Sequence, residues 1–306
     1  MSPPATSRRE MLQRSTRALA GLALASGIAT HRAAAETGAA GGSGGAARGK
    51  RWFKIGACDW SLERSDASSF SVAKEIGLDG VQVSLGSAGN GMHLRRKDVQ
   101  EAYRQAARAT GLEFASLALG ELNNVPLATE PKAAVWLVDG IDVARDLGMK
   151  VILMAFFGRG EVRPDDTVNM GRLVDLLKEV TPRAEKAGVV LGLENYLSAE
   201  DNVKILDRVG SPALQVYYDV GNSTDKGYDI LREIRFLGKD RICEFHAKDA
   251  QHLFGKGRID FREVRKAMDD IGYTGWIQIE GAKPNGVVVD YQADLAYLRS
   301  IFPREA

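Results

Sequence analysis

Val189-Val-Leu-Gly-Leu-Glu-Asn-Tyr196 is an apolar run that closes on a carboxylate. Such a run predicts a strand buried on both faces, as in a parallel sheet. A bare carboxylate at its end would be strongly disfavoured or would neutralise itself, so Glu194 needs solvent, an ion pair or a cation. The flanks extend the pattern. A helical stretch over Asp165–Ala187 and Gly188 precede the run, and a helix near Ala199–Val209 leads on to a second apolar run, Leu214–Asp219, which also ends on an acid.

The same alternation fills the chain from Trp52 onward. Strands are expected at Phe53–Cys58, Gly80–Leu85, Glu113–Ala118, Lys150–Phe156, Val189–Glu194, Leu214–Asp219, Ile242–His246 and Trp276–Glu280. Helices are expected near Ser68–Ile76, Lys97–Thr110, Pro131–Leu147, Asp165–Ala187, Ala199–Val209, Asp229–Leu237, Asp260–Ile271 and Tyr291–Phe302. Eight βα units in roughly 250 residues have the size and rhythm of an α/β (β/α)8 TIM barrel. Gly77, Gly111, Gly148, Gly188 and Gly272 stand where helices should end, as C-terminal caps do. A doubly wound open sheet would be expected to show a Gly-rich dinucleotide turn after an early strand, and the sequence has none there.

The barrel domain is expected to span residues 51–306, because the first fifty residues differ in kind. Ser7-Arg-Arg-Glu-Met-Leu12, the Ala-rich apolar stretch from Ala18 to Ala29 and the Ala33-Ala-Ala35 cleavage site read as a twin-arginine export signal over residues 1–35. Residues 36–50 read as a Gly/Ala-rich flexible linker. The expected destination is periplasmic or extracellular. No Cys lies near the cleavage region, which argues against a lipid anchor. Residues 1–35 hold five of the 41 Lys+Arg and one of the 40 Asp+Glu, so the remainder carries 36 basic against 39 acidic groups. That balance argues against non-specific grip on nucleic acid, which needs clustered basic charge, and suits a small neutral carbohydrate. A homo-oligomer is compatible with the sequence. Cys58 and Cys243 fall on the first and seventh strands, which are not neighbours in such a barrel, so two buried thiols are expected rather than a disulfide.

Chemistry in this fold sits at the C-terminal ends of the strands. Strand five ends in Glu194, six in Asp219, seven in His246 and eight in Glu280. Singly, each is most economically half of an ion pair or a satisfied core group. Together, three carboxylates at one rim repel unless a proton or a cation lies between them. Oxygen and imidazole donors without thiolate fit Mn²⁺, Mg²⁺ or Co²⁺.

Gly192-Leu-Glu-Asn195, Tyr218-Asp-Val-Gly-Asn222, Phe245-His-Ala-Lys-Asp249 and Ile279-Glu280, in this order and spacing, resemble the xylose isomerase-like TIM barrel superfamily. The resemblance covers about residues 52–303 and implies a sugar isomerase or epimerase working through an enediolate. It implies Glu194 and Glu280 as an acid/base pair that also binds metal, with Asp219 and His246 as the remaining ligands. Asn222 stands where the epimerases often carry His, and Gln82 where Glu often stands. Glu200, Asn222, Lys248 and Arg258 are the candidate substrate contacts. Trp60, His93, Asn123, Asn124 and Phe157 are candidate wall residues. A lyase or dehydratase acting on a keto-sugar or 3-keto-glycoside is the alternative. An endonuclease IV-like phosphodiesterase would be expected to carry several further histidines, whereas the chain has four in all. A non-catalytic sugar-binding barrel is the remaining rival.

Overall fold

In the computed structural model, which describes residues 52–304, eight parallel strands form a closed barrel. They are β1 (Phe53–Cys58), β2 (Gly80–Ser84), β3 (Glu113–Leu119), β4 (Val151–Ala155), β5 (Val190–Glu194), β6 (Leu214–Asp219), β7 (Ile242–Ala247) and β8 (Gly275–Ile279). Each strand pairs with the next, and β8 closes on β1 with Ile277 opposite Ile55 and Ile279 opposite Ala57. Around them run α1 (Ser69–Ile76), α2 (Lys97–Thr110), α3 (Pro131–Leu147), α4 (Thr167–Ala187), α5 (Ala199–Val209), α6 (Val220–Asp225), α7 (Ile230–Leu237), α8 (Phe261–Ile271) and α9 (Val287–Arg299). The expected signal over residues 1–35 and linker over residues 36–50 lie outside the described residues. No helix among the described residues is long and apolar enough to cross a membrane.

The expected elements occur with ends moved by one or two residues, apart from the last helix, which begins four residues earlier. One α-helix is unexpected: α6 follows β6 directly, because Asp219 caps it through Oδ1, which accepts from the backbone N–H of Gly221 (2.7 Å) and Asn222 (2.9 Å). Cap chemistry sets other ends too. Asp166 Oδ1 accepts from the Asn169 N–H at the start of α4. At its end Gly188 takes φ 65° and donates to the carbonyls of Ala184 and Glu185, a left-handed position costly for a residue with a Cβ.

The helices bury apolar faces on the outside of the barrel, including Leu137, Ile141 and Ala144 of α3 and Leu173, Leu177 and Ala184 of α4. The barrel interior is divided. Ala118, Val151, Leu153, Ala155 and Tyr217 form an apolar cluster, whereas Gln82, Ser116, Glu244, His246 and Gln278 are buried polar groups, with the buried Cys58 thiol against Gln82. Both cysteines are free; Cys58 is buried as expected, while Cys243 is only half-buried.

The loop after β7 is held by buried acids. Asp249 accepts from the N–H groups of Arg258 and Ile259, and Asp294 of α9 accepts from that of Phe254 at 2.8 Å. Burial pushes the Asp294 carboxyl up to about 7, against the pull of the Phe254 N–H. A folded-state pKa above the ordinary 3.8 favours the fold fully below that value and loses this contribution as pH rises through about 7. Asp294→Asn keeps an acceptor without the charge. It is expected to raise Tm at pH 8 by on the order of 3 °C and to leave it unchanged near pH 4 by scanning calorimetry; equal shifts at both pH values would show that the charge is not the cause.

Candidate metal centre and active site

Register brings the strand-end residues to one rim. Asp219 of β6 pairs with His246 of β7, Glu194 closes β5 opposite Ala155, and Ala247 pairs with Ile279. Glu280 stands one residue past β8, where its N–H donates to the Ala247 carbonyl at 2.9 Å and so continues the strand direction. One ligand atom each from Glu194, Asp219, His246 and Glu280 lies within 4.8 Å of the others. The sequence-based ligand set is thereby brought together.

The donors aim inward. His246 Nδ1 lies 2.9 Å from Glu194 Oε1, 3.6 Å from Glu280 Oε2 and 3.8 Å from Asp219 Oδ2. His246 is fully buried. Asp219 Oδ2 is buried without a hydrogen-bond partner, while its Oδ1 is committed to the cap of α6. An orphaned carboxylate oxygen facing two further acids and an imidazole nitrogen is a strong demand for positive charge. The O and N donor set fits a divalent cation of the Mn²⁺, Mg²⁺ or Co²⁺ type, and no thiol joins the four.

The two glutamates sit in opposite electrostatic settings. Burial raises the Glu194 carboxyl, the facing His246 only partly offsets it, and Glu280 and Asp219 push it further up. Burial would also raise Glu280, but the charges of His246 and Lys248 and the Trp60 indole N–H hold it below its usual range. Trp60 Nε1 donates to Glu280 Oε1 at 3.0 Å and Lys248 Nζ to Glu280 Oε2 at 2.9 Å. Lys248 Nζ also lies 3.8 Å from Asp219 Oδ2. Burial works against the ammonium, yet Glu280 and Asp219 raise its pKa. The Lys248 stem packs against α6 because Gly221 has no side chain: a Cβ there would come within 2.8 Å of Lys248 Cβ and Cγ.

Above the four residues opens a cavity of about 530 Å³, lined by Glu194, Glu280, Lys248, Asn222 and residues of the loops after β1 to β5. Trp60, His93, Asn123 and Phe157 line it as expected, together with Ser84, Ser87, Asn90, Glu121 and Tyr196, which sequence reasoning did not single out; Asn124 does not. Phe157 and Tyr196 pack with ring centroids 4.6 Å apart, and Asn123 Oδ1 accepts from the Phe157 N–H. Two expected substrate contacts lie elsewhere. Glu200, in the first turn of α5, pairs with Arg232 at 2.6 Å, and Arg258 pairs with Asp225; neither lines the cavity. Glu200 thus sits where a helix dipole and a guanidinium already satisfy it.

A family model described as xylose isomerase-like TIM barrel matches residues 70–301, and the chain belongs to that family. A curated relative, 2-epi-5-epi-valiolone 7-phosphate 2-epimerase of Actinoplanes sp., is 28% identical over 225 residues, covering 70% of this chain and 82% of its own. Among solved structures, D-allulose 3-epimerase from Methylomonas sp. in complex with D-allulose superposes with TM-score 0.68 at 15% identity, over 82% of this chain and 98% of its own. Apo 3-keto-D-glucoside 4-epimerase from E. coli superposes with TM-score 0.68 at 16% identity, over 81% of this chain and 99% of its own. Those two likenesses establish the fold.

Proposed function

We propose that this member of the xylose isomerase-like family is a divalent-cation-dependent epimerase or isomerase of an unphosphorylated keto-sugar, moving a proton at the carbon beside the carbonyl. The observation that carries the reading is the pair Glu194 and Glu280: two carboxylates that each place an oxygen in a cluster of four donors lying within 4.8 Å of one another. Two carboxylates so placed can share a proton transfer, one taking a proton and the other giving one, and Glu280, held by Trp60 and Lys248, is the base in this reading. A cation held by Glu194, Asp219, His246 and Glu280, Mn²⁺ in this reading, would supply a Lewis acid for the carbonyl. Trp60 and Lys248 keep Glu280 ionised and aimed. Glu194, on the far side of the two strands that carry Asp219 and His246, returns the proton.

The named relatives support this class, since all three are epimerases. Substrate charge is read from the wall. Glu121 joins the two catalytic glutamates there, and Lys248 is already engaged by Glu280 and Asp219. A phosphate would meet more carboxylate than cation, whereas Ser87, Asn90 and the rings of Trp60 and Phe157 offer hydroxyl contacts and stacking. Export by the twin-arginine route to the periplasm or beyond is part of the same proposal and suits an unphosphorylated sugar.

A lyase is the second reading, favoured by one observation: Lys248 Nζ sits 2.9 Å from Glu280, so a base and a cationic donor for a leaving oxygen stand side by side. Incubating metal-loaded protein with keto-sugars and 3-keto-glycosides in D₂O separates the two. Deuterium is expected at the carbon next to the carbonyl without loss of a substituent. Elimination would favour the lyase, and neither exchange nor elimination across a broad panel would sink both.

A further inference from the structure

Directly beneath the four rim residues, the barrel interior holds a closed set of hydrogen bonds centred on Gln82, a fully buried residue of β2. Its Nε2 lies 3.0 Å from Ser116 Oγ and 3.0 Å from Tyr217 OH. Its Oε1 lies 2.9 Å from His246 Nε2 and accepts from Cys58 Sγ at 3.1 Å. The two hydroxyls in turn converge on one oxygen, Oε2 of Glu244, each at 2.8 Å.

This arrangement fixes directions as well as distances. Ser116 and Tyr217 each have one proton, and each gives it to Glu244 Oε2, so each must accept from the Gln82 amide. Both N–H groups of the amide are thereby used, and its carbonyl oxygen faces His246. That oxygen has no proton to offer, and the Cys58 thiol, 3.4 Å from the same nitrogen, gives its own to the amide oxygen at 3.1 Å, so His246 Nε2 carries the hydrogen and Nδ1 is the nitrogen left for Glu194, Asp219, Glu280 and a cation. The reversed amide would turn its oxygen toward two hydroxyls whose protons are already given to Glu244 and leave the Cys58 thiol without its acceptor.

We propose that Gln82 is a positioning residue that fixes His246 as the Nε2–H form and presents Nδ1 to the cation. Orienting partners of this kind, on the far nitrogen of a ligating imidazole, typically govern metal affinity by roughly 10–100-fold. Here the orientation is set two layers down, by the carboxylate of Glu244 acting through Ser116, Tyr217 and the amide. The inference rests on the four rim residues being a cation site and is independent of which reaction they perform.

The test uses the full chain with Mg²⁺ bound, followed by long-range ¹H–¹⁵N spectra of the imidazoles, with His31→Gln, His93→Gln and His252→Gln proteins supplying the assignment. Wild type is expected to show His246 protonated at Nε2 and bare at Nδ1. Gln82→Glu, which retains an acceptor for the Nε2–H, should keep that form. Gln82→Met should mix the two forms and weaken Mn²⁺ binding by calorimetric titration roughly 10–100-fold. A wild-type His246 protonated at Nδ1, or a folded Gln82→Met protein with unchanged tautomer and Mn²⁺ affinity, would overturn the assignment. Should wild type bind no divalent cation, the cation reading fails, and the proposal with it; absent turnover alongside normal Mn²⁺ binding would count against the epimerase alone.

Discussion

Glu280→Gln is expected to lower kcat by roughly 10²–10⁴-fold, the usual worth of a positioned general acid or base, while the folded protein still binds its sugar. Gln has the same shape and keeps an oxygen within reach of the Trp60 indole N–H, which now meets Glu280 Oε1 at 3.0 Å. What disappears is the negative charge and the capacity to take a proton. Lys248 would then lose its 2.9 Å partner and keep Asp219 at 3.8 Å, so part of the loss will come from a displaced ammonium. Comparing kcat with substrate affinity separates the effects: a sugar-binding barrel would show the second unchanged and have no first to lose. Retention of turnover within about tenfold of wild type would remove Glu280 from the acid/base pair.

The strand ends were legible because two independent signals coincide there: apolar runs that specify buried parallel strands, and a single O or N donor closing each of four consecutive runs. Glu194, Asp219, His246 and Glu280 meet within 4.8 Å as that pattern implies. Contacts made by loops and between neighbouring helices were not legible, since their partners are far apart in sequence. Trp60 reaches Glu280 across 220 positions, and Arg232 takes Glu200 across 32. Val220-Gly-Asn-Ser-Thr-Asp225 lacks helix-forming residues, yet it becomes α6 through the Asp219 cap and the close approach of Gly221 to Lys248. The polar interior had a signal that went unused. Glu244 two residues before His246, with Gln82 and Ser116 on other buried strands, places hydrogen-bonding groups where an apolar layer is the rule.

Stripping divalent cations is expected to abolish turnover and to destabilise the fold, and Mn²⁺ should restore both. Without a cation, Asp219 Oδ2 stays buried and unpartnered, Glu194 is pushed up by burial and by the neighbouring acids, and the positive charge facing the cluster comes from Lys248 and the imidazole. A cation that binds only the folded chain stabilises it by mass action, about 2.7 kcal/mol at a hundredfold excess over Kd. For a domain of this size that corresponds to a Tm rise of roughly 5–10 °C, growing with the logarithm of cation concentration. The concentration dependence is the informative part, because a non-specific ionic effect would follow ionic strength and would be reproduced by Na⁺. Asp219→Asn should blunt the rise selectively, since the amide oxygen can still cap α6 through the Gly221 and Asn222 N–H groups while the charge facing His246 is gone. Full turnover after exhaustive chelation, or a Tm indifferent to Mn²⁺, would mean that the four residues hold one another through protons and ion pairs alone.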